Sequence, residues 1–227
     1  MDGSSESPPN RDGDQINPFP DGLAGSTVLL AGTVEPASYD VGLRALSRYG
    51  TDGDTALVVA TTESADETVA RYDALLPDAG GPKLGLVDTA SEQKSVSARY
   101  GEYPIVYIPA PNDLERLVIG LSDLTGDLPP SSGTRHLLVR SLTPLLQSSS
   151  VETVSPILER ISDLRTESGL TLFSIDYTAH SEDMLEKLSE HVDGILWVTE
   201  QSGTLSFEYH RTDGRHNRPA GIGDLDN

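Results

Sequence analysis

Gly32-Thr33-Val34-Glu35-Pro36-Ala37-Ser38-Tyr39 follows the apolar run Thr27-Val28-Leu29-Leu30-Ala31. It leads into a stretch from Tyr39 to Tyr49 where Val41, Leu43, Ala45 and Leu46 recur at helical spacing. A buried strand, a loop opening on glycine and a helix make the frame of a phosphate-binding loop, G-x-x-x-x-G-K-[ST]. Such a loop works through glycines that let its amides cradle phosphate, a lysine for the β- and γ-phosphates, and a hydroxyl on Mg²⁺. Here the three decisive positions are Ala37, Ser38 and Tyr39. Glu35 adds a carboxylate where triphosphate would sit, in a site whose helix end favours anions. The stretch predicts the frame of a nucleotide site without its chemistry.

Outward from the loop, apolar runs alternate with helical periodicity. Thr55 to Ala60 reads as a strand and Ala65 to Leu75 as a helix, with Val69, Tyr72 and Leu76 on one side. Leu84 to Val87 and Ile105 to Ile108 are short strands, Asp113 to Thr125 a helix, and Pro129-Pro130-Ser131-Ser132-Gly133 a loop. His136-Leu137-Leu138-Val139 is a strand ending on Arg140, followed by Ser141-Leu142-Thr143-Pro144-Leu145-Leu146. A long amphipathic helix is expected from there to Ser168, with Val154, Ile157, Leu158, Ile161 and Leu164 on one stripe. Ser149 and Glu152 suggest a capping box, while Pro156 suggests a later start or a bend. Leu170 to Asp176, Asp193 to Val198 and Thr204 to Arg211 close the set. Alternation of this kind predicts α/β architecture: a mostly parallel sheet with helices on both faces, a three-layer sandwich.

Four motifs, in order, carry a resemblance. Gly32 to Leu43 aligns without a gap on a loop reading G-P-P-G-T-G-K-T-T-L-A-L, and Val139 to Leu145 aligns on V-I-D-S-L-S-x-L with Arg140 in place of the acidic residue. Thr62-Glu63 stands where a Glu pair would follow the next strand, one carboxylate surviving. Arg211-Thr212-Asp213-Gly214 stands where K-x-R-G would reach a neighbouring subunit's nucleotide. Over residues 25 to 215 the chain resembles the KaiC-like branch of the RecA superfamily. The resemblance implies a RecA-like fold with a vestigial loop at Gly32, Glu35, Ala37, Ser38 and Tyr39, a vestigial second motif at Arg140 and Ser141, and further positions at Glu63, Asp176 and Arg211. The departures imply loss of catalysis: no catalytic residue, no cofactor and no metal are expected. Arg140 ends a strand beside the loop, so it is expected to pair with Asp176, Glu35 or Asp40 and to fill the space nucleotide needs.

The chain has 227 residues, enough for one domain with a full core, and no cysteine, which excludes disulfides and thiolate chemistry. It carries 36 Asp and Glu against 16 Lys and Arg, for a net charge of -20, and its lysines are Lys83, Lys94 and Lys187 alone. That balance is the pattern of a protein adapted to high salt, and it disfavours nucleic acid as a partner. No apolar run is long enough for a membrane span and the acidic N-terminus is no signal peptide, so a cytoplasmic place is expected.

Residues 1–24, poor in large apolar side chains, are expected to be a disordered acidic tail; Pro18-Phe19-Pro20 has the form of a docking motif, although a lone Phe in such a tail is more often incidental. Residues 25–216 are the domain and 217–227 a flexible tail. The five histidines show no i, i+4 metal pair, and Ser174, Asp176 and His180 lack the G-x-S-x-G of a hydrolase. The function expected is that of a non-catalytic regulatory or scaffold protein in signal transduction, with a protein partner that includes a second copy of itself among the candidates. The rivals are a module that binds ATP without efficient hydrolysis and an enzyme with a relocated site.

Overall fold

The computed structural model describes residues 15–16, 19–33, 36–76, 80–91, 97–100, 103–131, 133–202 and 204–212. Ten strands form one sheet: β1 (Gln15–Ile16), β2 (Thr27–Gly32), β3 (Thr55–Ala60), β4 (Lys83–Asp88), β5 (Ser97–Tyr100), β6 (Tyr103–Tyr107), β7 (Arg135–Val139), β8 (Thr171–Asp176), β9 (Gly194–Gln201) and β10 (Thr204–Arg211). Their order is β1-β10-β9-β2-β8-β7-β3-β4-β6-β5. From β9 to β6 every pairing is parallel, and the β9–β10 and β5–β6 pairs are antiparallel. The chain runs from β2 past β8 and β7 to β3, works outward to β6, and returns to fill the gap with β7 and β8. Strand order therefore reverses beside β2, which places a crevice at the C-terminal ends of β2, β8, β7 and β3.

Period-two alternation sends successive side chains of each strand to opposite faces. Leu29, Ala31, Leu57, Val59, Leu137, Val139, Phe173, Ile175, Ile195 and Trp197 meet α3 (Leu114–Asp127), α4 (Thr143–Ser148), α5 (Val151–Ser162) and α6 (Glu182–Ser189). Val28, Leu30, Ala56, Val58, Leu138, Leu172, Leu196 and Val198 meet α1 (Val41–Tyr49) and α2 (Ala65–Leu75). The result is the RecA-like three-layer sandwich, with two apolar cores. Each fully buried Leu, Val or Phe contributes about 1.5–3 kcal/mol relative to exposure.

α2 starts where its sequence says it should, because Ser64 and Glu67 form a reciprocal capping box: the Glu67 N–H donates to Ser64 Oγ at 3.2 Å and the Ser64 N–H to Glu67 Oε2 at 3.0 Å. The long helix expected up to Ser168 is instead two helices. Ser149 (φ -147°, ψ 152°) and Ser150 (φ -71°, ψ 156°) are extended and separate α4 from α5. Serine competes for backbone hydrogen bonds and favours helix ends, so two in succession break the run. The cap of α5 is Ser150, without a side-chain cap bond, rather than Ser149, and Pro156 lies inside the helix.

Packing also begins earlier than the boundary expected at residue 25. β1 pairs in parallel with β10, Phe19 stacks on Phe207 with ring centroids 4.5 Å apart, and Leu23 is fully buried. Low average hydropathy hid single apolar anchors that each find a seat. The remainder of the expected tails, residues 1–14, 17–18 and 217–227, lies outside the described residues. Among the described residues no helix is long and apolar enough to cross a membrane.

Candidate functional site

The crevice end of the sheet is closed by a buried arginine. Arg140 directly follows β7 and is 2 % exposed. One guanidinium nitrogen, Nη1, donates to Glu63 Oε2 at 3.1 Å and to Thr68 Oγ1 at 3.1 Å. The other, Nη2, donates to Asp40 Oδ1 at 2.8 Å, to the Ala37 carbonyl at 3.0 Å and to Glu63 Oε1 at 3.4 Å. The planar fork thus takes Glu63 through both oxygens, an arrangement open to arginine and not to lysine.

Arg71, on the outward side of α2, seals the cluster from solvent. Its Nε lies 2.9 Å from Glu63 Oε2 and its Nη1 3.3 Å from Asp40 Oδ2. Burial works against the Arg71 charge, but Asp40 and Glu63 outweigh it, so its pKa is raised above the ordinary value. Two arginines and two carboxylates balance in charge, which is the condition for burying ions at tolerable cost.

Local structure positions each member. Pro36–Tyr39 forms a 3-10 turn, and Asp40 at φ 53°, ψ 27° precedes α1 without capping it, its carboxylate being turned to the arginines. The Ala37 side of the loop therefore presents a carbonyl and a carboxylate to the crevice, where a phosphate cradle would present amides. Thr68 is on the buried face of α2. The start of that helix is anchored by buried Asp88 at the end of β4, which accepts from the Ala65, Ala90 and Ser91 amides at 2.7, 2.9 and 2.8 Å.

The sequence-predicted positions divide. Arg140, Glu63 and the backbone of Ala37 come together, and the expected carboxylate partner of Arg140 is Asp40. Glu35 lies outside the described residues. Gly32 is in register with Asp176 and Val198, beside the cluster. Ser38 is exposed, whereas the Tyr39 hydroxyl reaches across to Glu200 Oε2 at 2.7 Å. Ser141 is fully buried, and its carbonyl accepts from Thr61 Oγ1 at 2.8 Å. Asp176 does not meet Arg140 in any described bond; its Oδ1 accepts from the Thr178 N–H at 3.0 Å and from Thr178 Oγ1 at 2.6 Å. Arg211 pairs in register with Gly194, at the N-terminal end of the parallel strands, so within one chain it lies at the opposite edge from Gly32. Thr68, Arg71 and Asp88 were missed. Nothing local marked Arg71, which lies on α2 while its partners Glu63 and Asp40 lie ahead of that helix.

Rival chemistry finds little support in the geometry. Ser174 is buried in β8 at 1 % exposure, and His180 Nε2 pairs instead with Thr143 Oγ1 at 3.2 Å. Among the described residues no group of three His, Asp or Glu could hold a metal ion. A polar cavity of about 500 Å³ opens at the opposite edge, lined by Thr27, Glu159, Asp163, Arg165, His191 and Asp193 among others. There His191 Nδ1 pairs with Glu159 Oε1 at 2.7 Å and Asp193 Oδ2 accepts from the Thr27 N–H at 2.8 Å, so both groups are engaged.

Strand order and layering make this chain a RecA-like α/β sandwich whose loop end is closed by an ion-pair cluster. It belongs to DUF7504, a family of unknown function, whose model matches residues 25–198. Among solved structures it is similar to the uncharacterized protein PH0321 from Pyrococcus horikoshii, crystallised in complex with an unknown peptide. That likeness has a TM-score of 0.56 at 13 % identity, over 83 % of this chain and 84 % of the other, and is one of fold. No curated protein matches the chain.

Proposed function

We propose that this protein is a non-catalytic member of the KaiC-like RecA type that neither binds nor hydrolyses nucleotide, and that it acts by presenting surfaces to protein partners, as a regulator or scaffold in signal transduction in the cytoplasm of a salt-adapted cell. The observation that carries the reading is the saturation of Arg140. Five contacts to four residues use both of its terminal nitrogens on protein acceptors. Phosphoryl transfer needs a lysine on the phosphates, a hydroxyl and an acid on Mg²⁺, and an acid or water-positioning group. Ala37, Ser38 and Tyr39 supply neither the lysine nor a Ser or Thr hydroxyl at the metal position, the Tyr39 hydroxyl being engaged with Glu200; Arg140 inverts the acid, and Glu63 is held between two arginines.

The test is titration calorimetry of the full chain with Mg-ATP in molar KCl, together with a phosphate-release assay. No heat of binding and no release are expected. Micromolar binding would overturn the exclusion of nucleotide, and Mg²⁺-dependent turnover lost in Glu63→Gln would overturn the loss of catalysis. A partner role in place of chemistry agrees with PH0321, a protein of the same fold, having been crystallised with a peptide.

A further inference from the structure

With 36 Asp and Glu against 16 Lys and Arg, a carboxylate is easily supplied to any arginine of this chain. Arg71, Arg116, Arg140 and Arg160 each meet one within 3.3 Å. Arg135 and Arg165 are turned onto backbone carbonyls instead. Helix α1 departs from that pattern. Val41–Tyr49 holds no acidic residue and carries two arginines four apart, Arg44 and Arg48, on the side away from its buried residues Val41, Gly42, Leu43, Ala45 and Leu46.

Among the described residues neither arginine is paired with a carboxylate. Arg44 Nε donates to the Tyr39 carbonyl at 3.2 Å, which fixes the side chain and leaves both terminal nitrogens without a described acceptor. Arg48 is exposed and makes no described hydrogen bond. Asp21, which like Arg48 acts electrostatically on the Tyr49 hydroxyl, is exposed and makes no described bond to either arginine. The helix dipole accounts for Arg48 in the last turn, but it works against Arg44 in the first, where carboxylates are the stabilising choice. The face is also held in place. Ser47 Oγ donates to the Leu75 carbonyl at 3.0 Å, joining α1 to the end of α2, and Arg71 of α2 reaches Asp40 beside the carbonyl that Arg44 holds.

We infer, resting on the partner role proposed above, that the outer face of α1 docks an acidic segment of a protein partner, Arg44 and Arg48 each taking one of its carboxylates. A guanidinium with both terminal nitrogens open accepts a carboxylate through two parallel hydrogen bonds. Side chains four apart on a helix stand about 5–6 Å from each other, so the matching segment is a helix with its own acids four apart. The complementarity is local, because the whole chain carries a net charge of -20. Molar salt, with a Debye length of about 3 Å, screens the repulsion between two acidic proteins, while pairs in direct contact lie within that length. Nucleic acid fits the face less well: two open arginines neutralise few phosphates, and the body repels the others.

The test is fluorescence anisotropy of a labelled peptide of repeating Glu-Ala-Ala-Ala with the full chain in molar KCl, set against the same peptide with Gln in place of Glu. Saturable binding of the Glu peptide alone is expected. Arg48→Gln should weaken it by about tenfold, the worth of one charge-assisted pair, and Arg44→Gln combined with Arg48→Gln should abolish it. Arg116→Gln, at an exposed arginine on α3, should leave it unchanged. Arg48→Gln removes no described bond, so its effect reads the surface even where the double variant is less stable. Absence of saturable binding overturns the docking. Full binding by the double variant, or an equal loss in Arg116→Gln, overturns the assignment to α1 and leaves a partner role standing. Displacement of the peptide by a lower concentration of single-stranded RNA overturns the assignment to protein. Binding of Mg-ATP in the calorimetry above would strike the exclusion of nucleotide and leave these outcomes unaffected.

Discussion

Arg140 Nη2 meets Asp40 Oδ1 at 2.8 Å across one hundred residues of sequence, and Asp40 does so from a left-handed backbone conformation, φ 53°. That conformation is costly for residues with a Cβ, though Asp and Asn tolerate it better than most. The ion pair thus supports a strained turn at the position where a phosphate-binding loop would pass into its helix. Strain of this kind persists only where surrounding contacts hold it.

Substitutions at Asp40 separate strain from charge. Asp40→Ala loses the pair and keeps the strain, while Asp40→Gly loses the pair and relieves it. Asp40→Gly should therefore be more stable than Asp40→Ala by about 1 kcal/mol in urea unfolding. Equal midpoints would mean that the turn relaxes without the pair.

At Arg140 the expected cost is larger. Removing one partner of a buried pair costs about 3–5 kcal/mol; here the carboxylates reach some solvent and Arg71 remains, so Arg140→Met should lose about 2–4 kcal/mol. Arg140→Asp, placing a third carboxylate beside Asp40 and Glu63, should lose more. Arg71→Ala, at a side chain 46 % exposed, should lose no more than about 1 kcal/mol. An Arg140→Met protein as stable as the parent would show that the cluster contributes nothing net.

Acid should weaken the fold through two histidines before the carboxylates titrate. Burial pushes the His136 pKa below its ordinary 6.5, only partly offset by Asp54 at 3.6 Å, and His180 is pushed the same way by burial. His136 Nδ1 accepts from the Leu170 N–H at 3.1 Å, which requires the neutral ring. With the folded pKa depressed, the unfolded chain binds protons first as pH falls. This stability is present in full above the unfolded value, about 6.5, and is lost as pH drops below it towards the folded value. Melting temperature should fall between pH 7.5 and 5.5, and fall less in His136→Gln. The same slope in both proteins would remove His136 from the explanation.

The alternation of strands and helices was legible because it is local. β3 runs over Thr55–Ala60 and α2 over Ala65–Leu75, as their patterns say. The cluster was legible only in part. Arg140 and Glu63 announced themselves as charges at strand ends, and Asp40 as a carboxylate near the loop. Arg71 and Thr68 read as ordinary helix positions, because their partners Asp40, Glu63 and Arg140 come to them from other parts of the chain, and Asp88 read as a strand terminus although it holds the start of α2. The break between α4 and α5 and the seat of Phe19 depend on contacts far along the chain, which a hydropathy pattern does not carry.

Salt should stabilise the protein. Raising KCl from about 0.1 M, where the Debye length is about 10 Å, to molar levels screens the repulsion among a net -20 charge. The buried Arg140 pairs are screened much less than exposed charges, so their loss should not cancel the gain. Melting temperature should climb across that range, and a flat profile would refute the adaptation to salt. Deletion of residues 1–20 takes away the Phe19 stack on Phe207 and should lower the midpoint at every salt concentration.

Restoring the missing loop residues should not restore nucleotide binding. Ser38→Lys with Tyr39→Thr returns the lysine and hydroxyl, but the backbone beside them still turns the Ala37 carbonyl to Arg140, and Asp40 still stands at the start of α1. A lysine at position 38 would find Asp40 and Glu63 as nearby anions already neutralised by two arginines. A tetraanionic ligand would have to displace that network and desolvate its charges, a cost that one new cation in a wrongly shaped loop does not offset. Calorimetry of the double variant with Mg-ATP should remain without heat, and removal of the Tyr39 bond to Glu200 should lower stability slightly. Micromolar binding by the double variant would show that only two side chains, and not the arginine-closed crevice, keep nucleotide out.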